Sequence, residues 1–351
     1  MAGSGTAGDP YQVANYDDLK GVGTNTGAYT GWTMGVYYLQ TAPIQCPTGV
    51  SQDNFPGIGT DTSRFTGHYD GQNYPIYDLY MNTTVSRTGL FASTDGCNVK
   101  NVRVVRGSVT SNQGRCGGMF GDLRGTVTNC HYDGSVTVSA ASTTHGGFAG
   151  NIFDSTSSAT NVSDCSSNVS MTTNSANGAA GFVGQIWRTT YAINIDRCFS
   201  LGSMTNNGTG VQYAGFVAYA NGSFIRDCFT QMSITRSNTN TFGGFVGQNY
   251  NNATSFLRCY SASTLTGSGR RGFCGSGTNG GSGTSSNYFD STLAGTSTTG
   301  FGTAYTTAQM KVQSNYSTYN FSAVWRLDSQ IESGYPHLRW RHNPSAWFQL
   351  L

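Results

Sequence analysis

Apolar residues recur along this chain in short blocks that contain a glycine, one or two large apolar residues and a small residue. The block Gly181-Phe-Val-Gly is the clearest copy, and successive blocks start 28 to 34 residues apart. The seven copies start at Gly89, Gly118, Gly147, Gly181, Gly215, Gly244 and Gly272. A motif that repeats at a near-constant period is typical of a solenoid, in which each repeat is one turn of the chain.

A second pattern accompanies the first. Five residues after each of five cysteines stands a hydroxyl residue, followed by an aliphatic residue and a threonine. The cysteines are Cys130, Cys165, Cys198, Cys228 and Cys259, and the hydroxyl pairs are Ser135 and Thr137, Ser170 and Thr172, Ser203 and Thr205, Ser233 and Thr235, and Thr264 and Thr266, with Ser108 and Thr110 in the preceding repeat. Because this offset is fixed while the repeat length varies, insertions are expected in loops.

These patterns predict an all-β chain that forms a right-handed parallel β-solenoid of about seven rungs with capped ends. Each repeat contains three short strand candidates: the glycine block, the segment around the cysteine and the Ser-aliphatic-Thr segment. Short strands separated by Gly, Asn and Asp cannot bury their own apolar faces, but strands stacked one turn above another can. The right hand follows the general preference of parallel crossovers.

The large apolar residue of each block is expected to point into the core. Stacked turns then place one residue per turn in a single column: Leu90, Met119, Phe148, Phe182, Phe216, Phe245 and Phe273. The first glycine of a block leaves room for neighbouring backbone, and the closing Gly or Ala is expected to turn the chain.

The five cysteines form a second inward column. Three interpretations remain: free thiols in the core, disulfide bridges between turns, and a metal ladder. The absence of a CxxC pair favours free thiols over metal, because zinc sites use close cysteine pairs or mixtures of cysteine and histidine. Bridges between turns are geometrically feasible at the spacing of stacked strands.

The repeats divide the chain into three segments: an N-terminal cap with the first rungs (1–85), the repeats (86–300), and a C-terminal cap with a docking tail (301–351). A solenoid must cover both ends to avoid edge-to-edge polymerisation. The segment 306–321 is the best helix candidate to cover the second end. The tail is expected to contact a partner or another copy of the chain through Trp340, Trp347, Phe348, Leu350 and Leu351.

Composition narrows the classes of partner. Charged residues make up 10% of the chain, and the formal net charge is +2. The basic residues do not form clusters, so a nucleic-acid partner is not expected. No apolar run is long enough to span a membrane. No phosphate, dinucleotide or metal motif stands in a suitable context, so neither a cofactor nor a metal is expected.

The residues directly before the five cysteines differ in charge from one repeat to the next: Asn129, Asp164, Arg197, Asp227 and Arg258. Stacked in register, they predict a ladder of surface ion pairs, which Asp196 and Arg226 extend. A catalytic cluster in a polysaccharide-cleaving solenoid would instead bring several carboxylates together. We therefore expect no catalytic residues and no enzyme activity.

Two surfaces are candidates for binding. The aliphatic residue of each Ser-aliphatic-Thr segment points inward, so the hydroxyl residues point outward and stack into two files. This array predicts an ordinary solvated β-surface, a sugar-binding face or an ice-binding face, and the mixture of Ser and Thr, together with the varying repeat length, disfavours the last. Loops at 151–160, 185–194 and 248–255 carry Trp187, Tyr191 and Tyr250, which could stack on sugar rings unless Trp187 is half buried under its loop.

The repeats and their flanks resemble the GLUG-repeat family, which is found in bacterial surface adhesins and phage proteins. The segments "GDPYQVANYDDLKGV" and "FTGHYDGQNYPIYDLYM" near the N-terminus, and "LDSQIESGYPHLRW" near the C-terminus, resemble the beginning and the end of the family pattern. The resemblance implies a β-solenoid that serves as a scaffold and does not imply one particular activity.

Since the family occurs in both adhesins and phage proteins, our first hypothesis is a non-enzymatic phage virion protein, such as a fibre, a spike or a surface decoration, that adheres to host-surface polysaccharide. The start "MAGSGTAGDPYQ" lacks the basic and apolar regions of a secretory signal, as expected for a virion protein released by lysis. The expected partners are other virion proteins and host glycans, with a homotrimer as one expected assembly. The alternatives are an adhesin at the bacterial cell surface and a polysaccharide depolymerase.

Overall fold

A computed structural model describes residues 2–49, 52–139, 143–174, 177–210, 212–279 and 286–342. Across these residues the chain winds into an all-β solenoid of about nine turns, with parallel stacked strands and few, short helices. The solenoid is longer than the seven glycine blocks because the N-terminal segment also supplies strands. The first of these, Tyr11–Val13, pairs in parallel with Tyr37–Gln40.

A complete turn passes through four parallel sheets, which we name I to IV in the order in which the chain meets them. Sheet I consists of Tyr11–Val13, Tyr37–Gln40, His68–Asp70, Cys97–Lys100, Gly125–Thr128, Thr160–Ser163, Ile193–Asp196, Phe224–Arg226 and Ser255–Leu257. Sheet II consists of Ile44–Gln45, Pro75–Tyr77, Tyr80–Thr83, Arg103–Ser111, His131–Val138, Ser166–Thr173, Phe199–Asn206, Phe229–Arg236, Tyr260–Ser261, Thr264–Thr266, Tyr288–Asp290 and Thr303–Tyr305. Sheet III consists of Arg87–Thr88, Arg115–Gly117, Thr144–Gly146, Gly178–Ala180, Gln212–Ala214, Phe242–Gly243 and Arg270–Arg271. Sheet IV consists of Phe91–Ser93, Phe120–Leu123, Ala149–Phe153, Val183–Trp187, Val217–Asn221, Val246–Asn249 and Cys274–Ser276.

The glycine block does not form a strand of its own, contrary to our prediction. Phe182 lies at a corner, between the sheet III strand Gly178–Ala180 and the sheet IV strand Val183–Trp187. The closing glycine does not turn the chain either, because Gly184 lies inside the sheet IV strand. A Cβ atom on Gly184 would lie 2.5 Å from the backbone nitrogen of His145, so the glycine is required for close approach of backbone.

The phenylalanines of the blocks form one stack along the inside of the solenoid, which we call the inner stack. Its members are Phe148, Phe182, Phe216, Phe245 and Phe273, each with no exposed surface, and neighbouring ring centroids are 4.7 to 4.8 Å apart. Leu90 and Met119 are also fully buried. The first glycine of each block permits this spacing, since a Cβ on Gly244 would lie 2.1 Å from the carbonyl oxygen of Gly272 in the next turn.

The cysteines lie in the core as free thiols. Cys130, Cys165, Cys198, Cys228 and Cys259 have no exposed surface, and none of them forms a disulfide. Sulfur atoms contact the neighbouring turn, as where the Cys198 amide donates to the Cys228 Sγ at 3.4 Å. Burial raises the pKa of the Cys165 and Cys228 thiols well above the ordinary value, so these thiols stay protonated at neutral pH.

The residue before each cysteine has a left-handed backbone at the corner between sheets I and II. The φ angles lie between 52° and 57° at Asn129, Asp164, Arg197, Asp227 and Arg258. Asn and Asp tolerate this conformation, but Arg does so less readily. At each arginine, two hydrogen bonds to the aspartate of the preceding turn offset the free-energy cost of the left-handed conformation.

These corner contacts are bidentate ion pairs. Arg197 donates to both carboxylate oxygens of Asp164 at 2.7 and 2.8 Å, and Arg258 donates to those of Asp227 at 2.7 Å each. Arg226 pairs with Asp196 in the adjacent file at 2.6 and 2.9 Å. Each of these described ion pairs thus joins two neighbouring turns, and the pairs do not connect into one continuous ladder.

Most of the described helices are short and lie towards the ends of the chain, whereas Tyr250–Asn252 lies within the repeats. The α-helices are Tyr16–Gly21, Ser291–Ala294 and Thr307–Met310, and the 3₁₀ helices are Gly27–Tyr29, Tyr250–Asn252, Gln313–Asn315, Glu332–Gly334 and Arg339–His342. Near the N-terminus, Tyr16 and Leu19 of the first helix are buried, and Trp32 has no exposed surface. At the opposite end of the inner stack, Phe301 packs on Phe273 with centroids 5.2 Å apart.

Our prediction of a helix over 306–321 is wrong beyond its first turn. Thr306 and Gln309 form a capping box, but the α-helix ends at Met310. The Asn315 amide donates to the Gln309 carbonyl oxygen at 2.8 Å, which terminates the helix, and Tyr316 turns inward with 2% of its surface exposed. Local side-chain hydrogen bonds and aromatic packing therefore outweigh helix propensity in this segment.

Residues 307–342 form a strap that runs back along the outside of sheet II. The strap covers a second file of aromatic residues, one per turn, which we call the outer stack: Phe199, Phe229, Tyr260 and Tyr288. Trp325 and Leu338, which lie in a two-stranded antiparallel sheet of Trp325–Arg326 and His337–Leu338, are fully buried against it. The C-terminal segment therefore covers a side of the rod, which we had not predicted.

Candidate functional site

A groove lies on the surface where sheet III meets sheet IV, with a volume of about 390 Å³. Amides, hydroxyls, one guanidinium and two aromatic rings line it: Arg115, Thr143, Thr144, Asn151, Asn177, Gln185, Trp187, Gln212 and Tyr219. The described lining contains no carboxylate. A concave site with aromatic walls and several hydrogen-bonding groups is suited to a polar ligand that has flat apolar faces.

The repeat positions these groups in two files. One file is the residue that directly follows each block: Asn151, Gln185, Tyr219 and Gln248 are register partners on neighbouring strands of sheet IV. The other file lies three residues before each block, in sheet III, and includes Thr144 and Gln212, which are joined in register through Gly178. Side chains alternate across a strand, so these positions point away from the core.

The aromatic side of the groove consists of Trp187 and Tyr219, which belong to a cluster of three rings. Trp187 and Tyr219 are nearly parallel, with centroids 5.9 Å apart and an interplanar angle of 8°. Tyr250 packs against both rings, at 5.3 Å from Tyr219 and 6.1 Å from Trp187. Trp187 and Tyr250 are half buried, and Tyr219 is 8% exposed. The rings therefore support one another and leave part of the Trp187 and Tyr250 surfaces open.

Tyr219 remains a neutral hydrogen-bonding group at physiological pH. Burial, together with the nearby Tyr250, raises the pKa of Tyr219 to about 12. A neutral phenol can donate and accept hydrogen bonds, which suits a hydroxylated ligand.

The polar side of the groove is held in place by hydrogen bonds between side chains. Gln212 Nε2 donates to Gln248 Oε1 at 2.8 Å. The Asn151 amide nitrogen donates to Thr144 Oγ1 at 2.9 Å, and its oxygen accepts from Arg115 Nε at 2.8 Å. These contacts fix the amide orientations, so the groove is organised before a ligand arrives.

The positive charge of the Arg115 guanidinium, at one end of the groove, is neutralised by an ion pair. Arg115 Nη1 lies 2.8 Å from Asp122 Oδ2, and Arg87 also pairs with Asp122. Asp122 has no exposed surface and lies beneath the two arginines, so it does not act as an exposed acid or base. The groove therefore carries little net charge.

Tyr191, which we predicted to bind sugars, lies outside the three-ring cluster. It is 39% exposed, in the loop before the strand Ile193–Asp196. Asp154 anchors this loop by accepting from the backbone amides of Thr189, Thr190 and Tyr191 at 2.9, 2.6 and 2.7 Å. Burial alone would raise the pKa of Asp154, but these donors hold it below the usual value.

The predicted hydroxyl files lie in sheet II. The serine file contains Ser108, Ser135, Ser170, Ser203, Ser233 and Thr264, and the threonine file contains Thr110, Thr137, Thr172, Thr205, Thr235 and Thr266; both files are in register from turn to turn. The aliphatic residues between them, such as Met204 and Ile234, are buried. From Thr137 to Thr266 the threonine side chains are exposed.

Trp340 does not belong to a free docking tail, contrary to our prediction. Its ring stacks on Phe199 and His131 at 5.4 and 5.2 Å, and its Nε1 donates to the Arg197 carbonyl oxygen at 3.0 Å. It is therefore part of the strap. The other predicted tail residues, Trp347, Phe348, Leu350 and Leu351, lie outside the described residues.

Within the described ranges, no group of three or more His, Cys, Asp or Glu residues is arranged to hold a metal ion. The helices of the same ranges are all too short or too polar to cross a membrane.

The chain matches no protein-family model and no curated protein sequence. Its structure is similar to the crystal structure of a "putative immunoglobulin A1 protease" from Bacteroides ovatus, with a TM-score of 0.63 over 96% of this chain and 94% of that chain. The two sequences are 19% identical, so the similarity shows a shared β-solenoid fold and nothing about activity.

Proposed function

We propose that this protein is a non-enzymatic β-solenoid of a phage virion, and that it attaches to host-surface polysaccharide through the groove between sheets III and IV. The groove is the observation that supports adhesion: the Trp187 and Tyr219 rings line it together with fixed amides, and the half-buried Tyr250 ring packs against both. Sugar rings have apolar faces that stack on aromatic side chains and hydroxyls that pair with amides.

Binding is favoured over hydrolysis by the composition of the groove. Polysaccharide hydrolysis normally requires two carboxyl groups about 5–10 Å apart on either side of the scissile bond. The described lining has none, and the nearby Asp122 is buried between two arginines. The reading of this chain as a polysaccharide depolymerase is accordingly the weaker one.

Glycan binding is tested with purified protein on an array of bacterial surface polysaccharides. Trp187→Ala and Tyr250→Ala are expected to abolish the signal, because each removes a ring that a sugar would contact. Tyr191→Ala is the matched control, since this exposed tyrosine lies outside the ring cluster, and it should bind as the wild type does. Equal binding by Trp187→Ala and wild type would rule out the groove.

The virion role depends on the family resemblance and is tested separately by gold labelling of particles from the source. Label at a tail or fibre tip would support receptor binding, and label over the head or sheath would support a decoration. The alternative, a bacterial cell-surface adhesin, could use the same groove and differs in location. Label at the cell surface and on no particle would favour it.

Attachment to the particle is proposed to use residues 343–351. Trp340 and Arg341 pack on the solenoid, where Arg341 pairs with Glu332, so the removable segment begins after them. Deletion of 343–351 should prevent incorporation into particles, or assembly into a homotrimer, and leave thermal unfolding of the rod unchanged. Normal incorporation of the truncated chain would rule out this role for the tail.

A further inference from the structure

The hydroxyl files belong to a wider polar surface that the proposed function does not use. Two residues beyond each threonine from Thr137 to Thr235 lies a third exposed file: Ser139, Asn174, Asn207 and Ser237. Backbone hydrogen bonds continue the sheet into this file, as where the Asn207 amide donates to the Thr173 carbonyl oxygen at 3.0 Å. We call the serine, threonine and third files together the hydroxyl face.

The hydroxyl face is regular in two directions. Along the rod, the register from Ser108 to Thr266 is maintained without a shift, so equivalent residues repeat at the strand spacing of about 4.7–4.9 Å. Across the rod, residues two positions apart on a strand are separated by about 6.6–6.8 Å. The three files therefore form a two-dimensional array.

The side chains of this array are directed at solvent. Among the described residues, the hydrogen bonds formed by side chains do not involve the hydroxyls of the serine and threonine files. The described members of all three files are uncharged, and the apolar residues between them, such as Met171 and Leu265, are buried. Threonine is branched at Cβ, which restricts its side-chain rotation.

We propose that the hydroxyl face binds the surface of ice. Ice is a periodic lattice of hydrogen-bond donors and acceptors, so a protein surface that binds it must present donors and acceptors at a repeated spacing and without charge. The rigid sheet supplies that repetition over six turns, and the unoccupied hydroxyls can each donate and accept. The mixture of Ser and Thr counts less against ice binding than the sequence analysis suggested. The serines and threonines form separate files, and both files keep the same register.

Other ligands fit this face less well than ice does. A single sugar chain is normally held in a concave site with aromatic walls, as the groove provides, whereas this face is an open sheet surface. A protein partner would require buried aromatic, aliphatic or arginine anchors, and the described side chains exposed here are hydroxyls and amides. A periodic polar face therefore matches a periodic polar ligand.

The test compares the wild-type protein with variants in an assay of ice recrystallisation inhibition and in partitioning into a growing ice front. Thr172→Tyr with Thr205→Tyr places bulky rings at the centre of the threonine file. Thr172→Lys with Thr205→Lys is a second disrupting pair that preserves solubility if the first aggregates. Thr126→Tyr is the matched control, because Thr126 is an exposed threonine on sheet I with Asn98 and Asn161 as its register partners.

The proposal predicts that wild type and Thr126→Tyr enter ice and inhibit recrystallisation, and that both double variants lose these activities while keeping the same unfolding temperature. It is overturned if the wild type behaves as an ordinary control protein, or if the double variants retain full activity. Glycan binding by the same variants should be unchanged, so this result is independent of the groove.

Discussion

The inner and outer stacks are two files of aromatic rings built by the same repeat, and they depend on different parts of the chain. Neighbouring centroids are 4.7–4.8 Å apart in the inner stack and 4.9–5.2 Å apart from Phe199 to Tyr260 in the outer stack. The solenoid encloses the first by itself, whereas the strap must cover the second. The repeat thus places aromatic rings in a stack, and the segments around the stack determine whether the rings are buried.

The largest effect is expected inside the inner stack. Phe216→Ala should lower the free energy of unfolding by about 3–5 kcal/mol, because it leaves a cavity between Phe182 and Phe245. Guanidinium denaturation measures this change. Phe224→Ala is the control, since its side chain is 44% exposed, and it should cost no more than about 0.5 kcal/mol. Similar losses in both variants would contradict an enclosed stack.

A smaller global effect is expected at the strap. Trp325→Ala removes the ring that packs on Phe229 and Tyr260, and its cost should fall near the low end of the range for buried aromatics, about 3 kcal/mol. We expect the strap to detach while the solenoid stays intact, which limits the loss. Hydrogen exchange should show faster exchange in 307–342 and unchanged exchange in sheets I and III. Uniform loss of protection would show that the rod and the strap unfold together.

Two equivalent corner aspartates allow a matched comparison of a carboxylate that accepts a hydrogen bond from the strap with one that does not. Asp227 pairs with Arg258 and also accepts from Trp325 Nε1 at 2.9 Å, whereas Asp164 pairs with Arg197 nearer to solvent. Asp227→Asn should cost about 1–3 kcal/mol and Asp164→Asn about 0–1 kcal/mol, since asparagine also tolerates the left-handed backbone. Equal costs in thermal unfolding would show that the strap does not strengthen the corner.

The smallest global effect is expected for the loop held by Asp154. The pKa of Asp154 is below the usual value in the folded state. The stabilisation of the loop by the Asp154 carboxylate is therefore present at neutral pH and is lost as the pH falls through that lowered pKa. Exchange of the Thr190 and Tyr191 amides, corrected for intrinsic rates, should become less protected in acid. Asp154→Asn should show the same loss at neutral pH, and protection that does not change with pH would contradict the assignment.

Much of the regular part of the fold follows from the sequence. The period of Phe148 to Phe273 predicts stacked parallel turns, and the fixed distance from cysteine to threonine predicts two outward files. Sheet III was missed because its strands have two or three residues, too few for an alternating pattern to be recognised. The strap was missed because Trp325, Tyr335 and Trp340 lie outside the repeat, and only tertiary contacts show what they cover.

The sequence analysis named two of the three clustered rings but did not predict the groove. Trp187 and Tyr250 were predicted to be exposed, and the structure shows both half buried, which for Trp187 was the alternative interpretation. Tyr219 was not predicted, because it stands where other repeats have Gln185 or Gln248. The sequence does contain a signal that could have identified this site. The residue that follows each glycine block and the residue three positions before the block point to the same side of the rod. This becomes evident only when the block is placed at a corner and not within a strand.

The most direct test of the account is a structure of the protein with an oligosaccharide that the array identifies. The account predicts sugar density stacked on Trp187 and Tyr250, with hydroxyls within hydrogen-bonding distance of Gln185 or Gln212. Density on the hydroxyl face, or on the loop that carries Tyr191, would contradict the assignment of the groove as the polysaccharide-binding site.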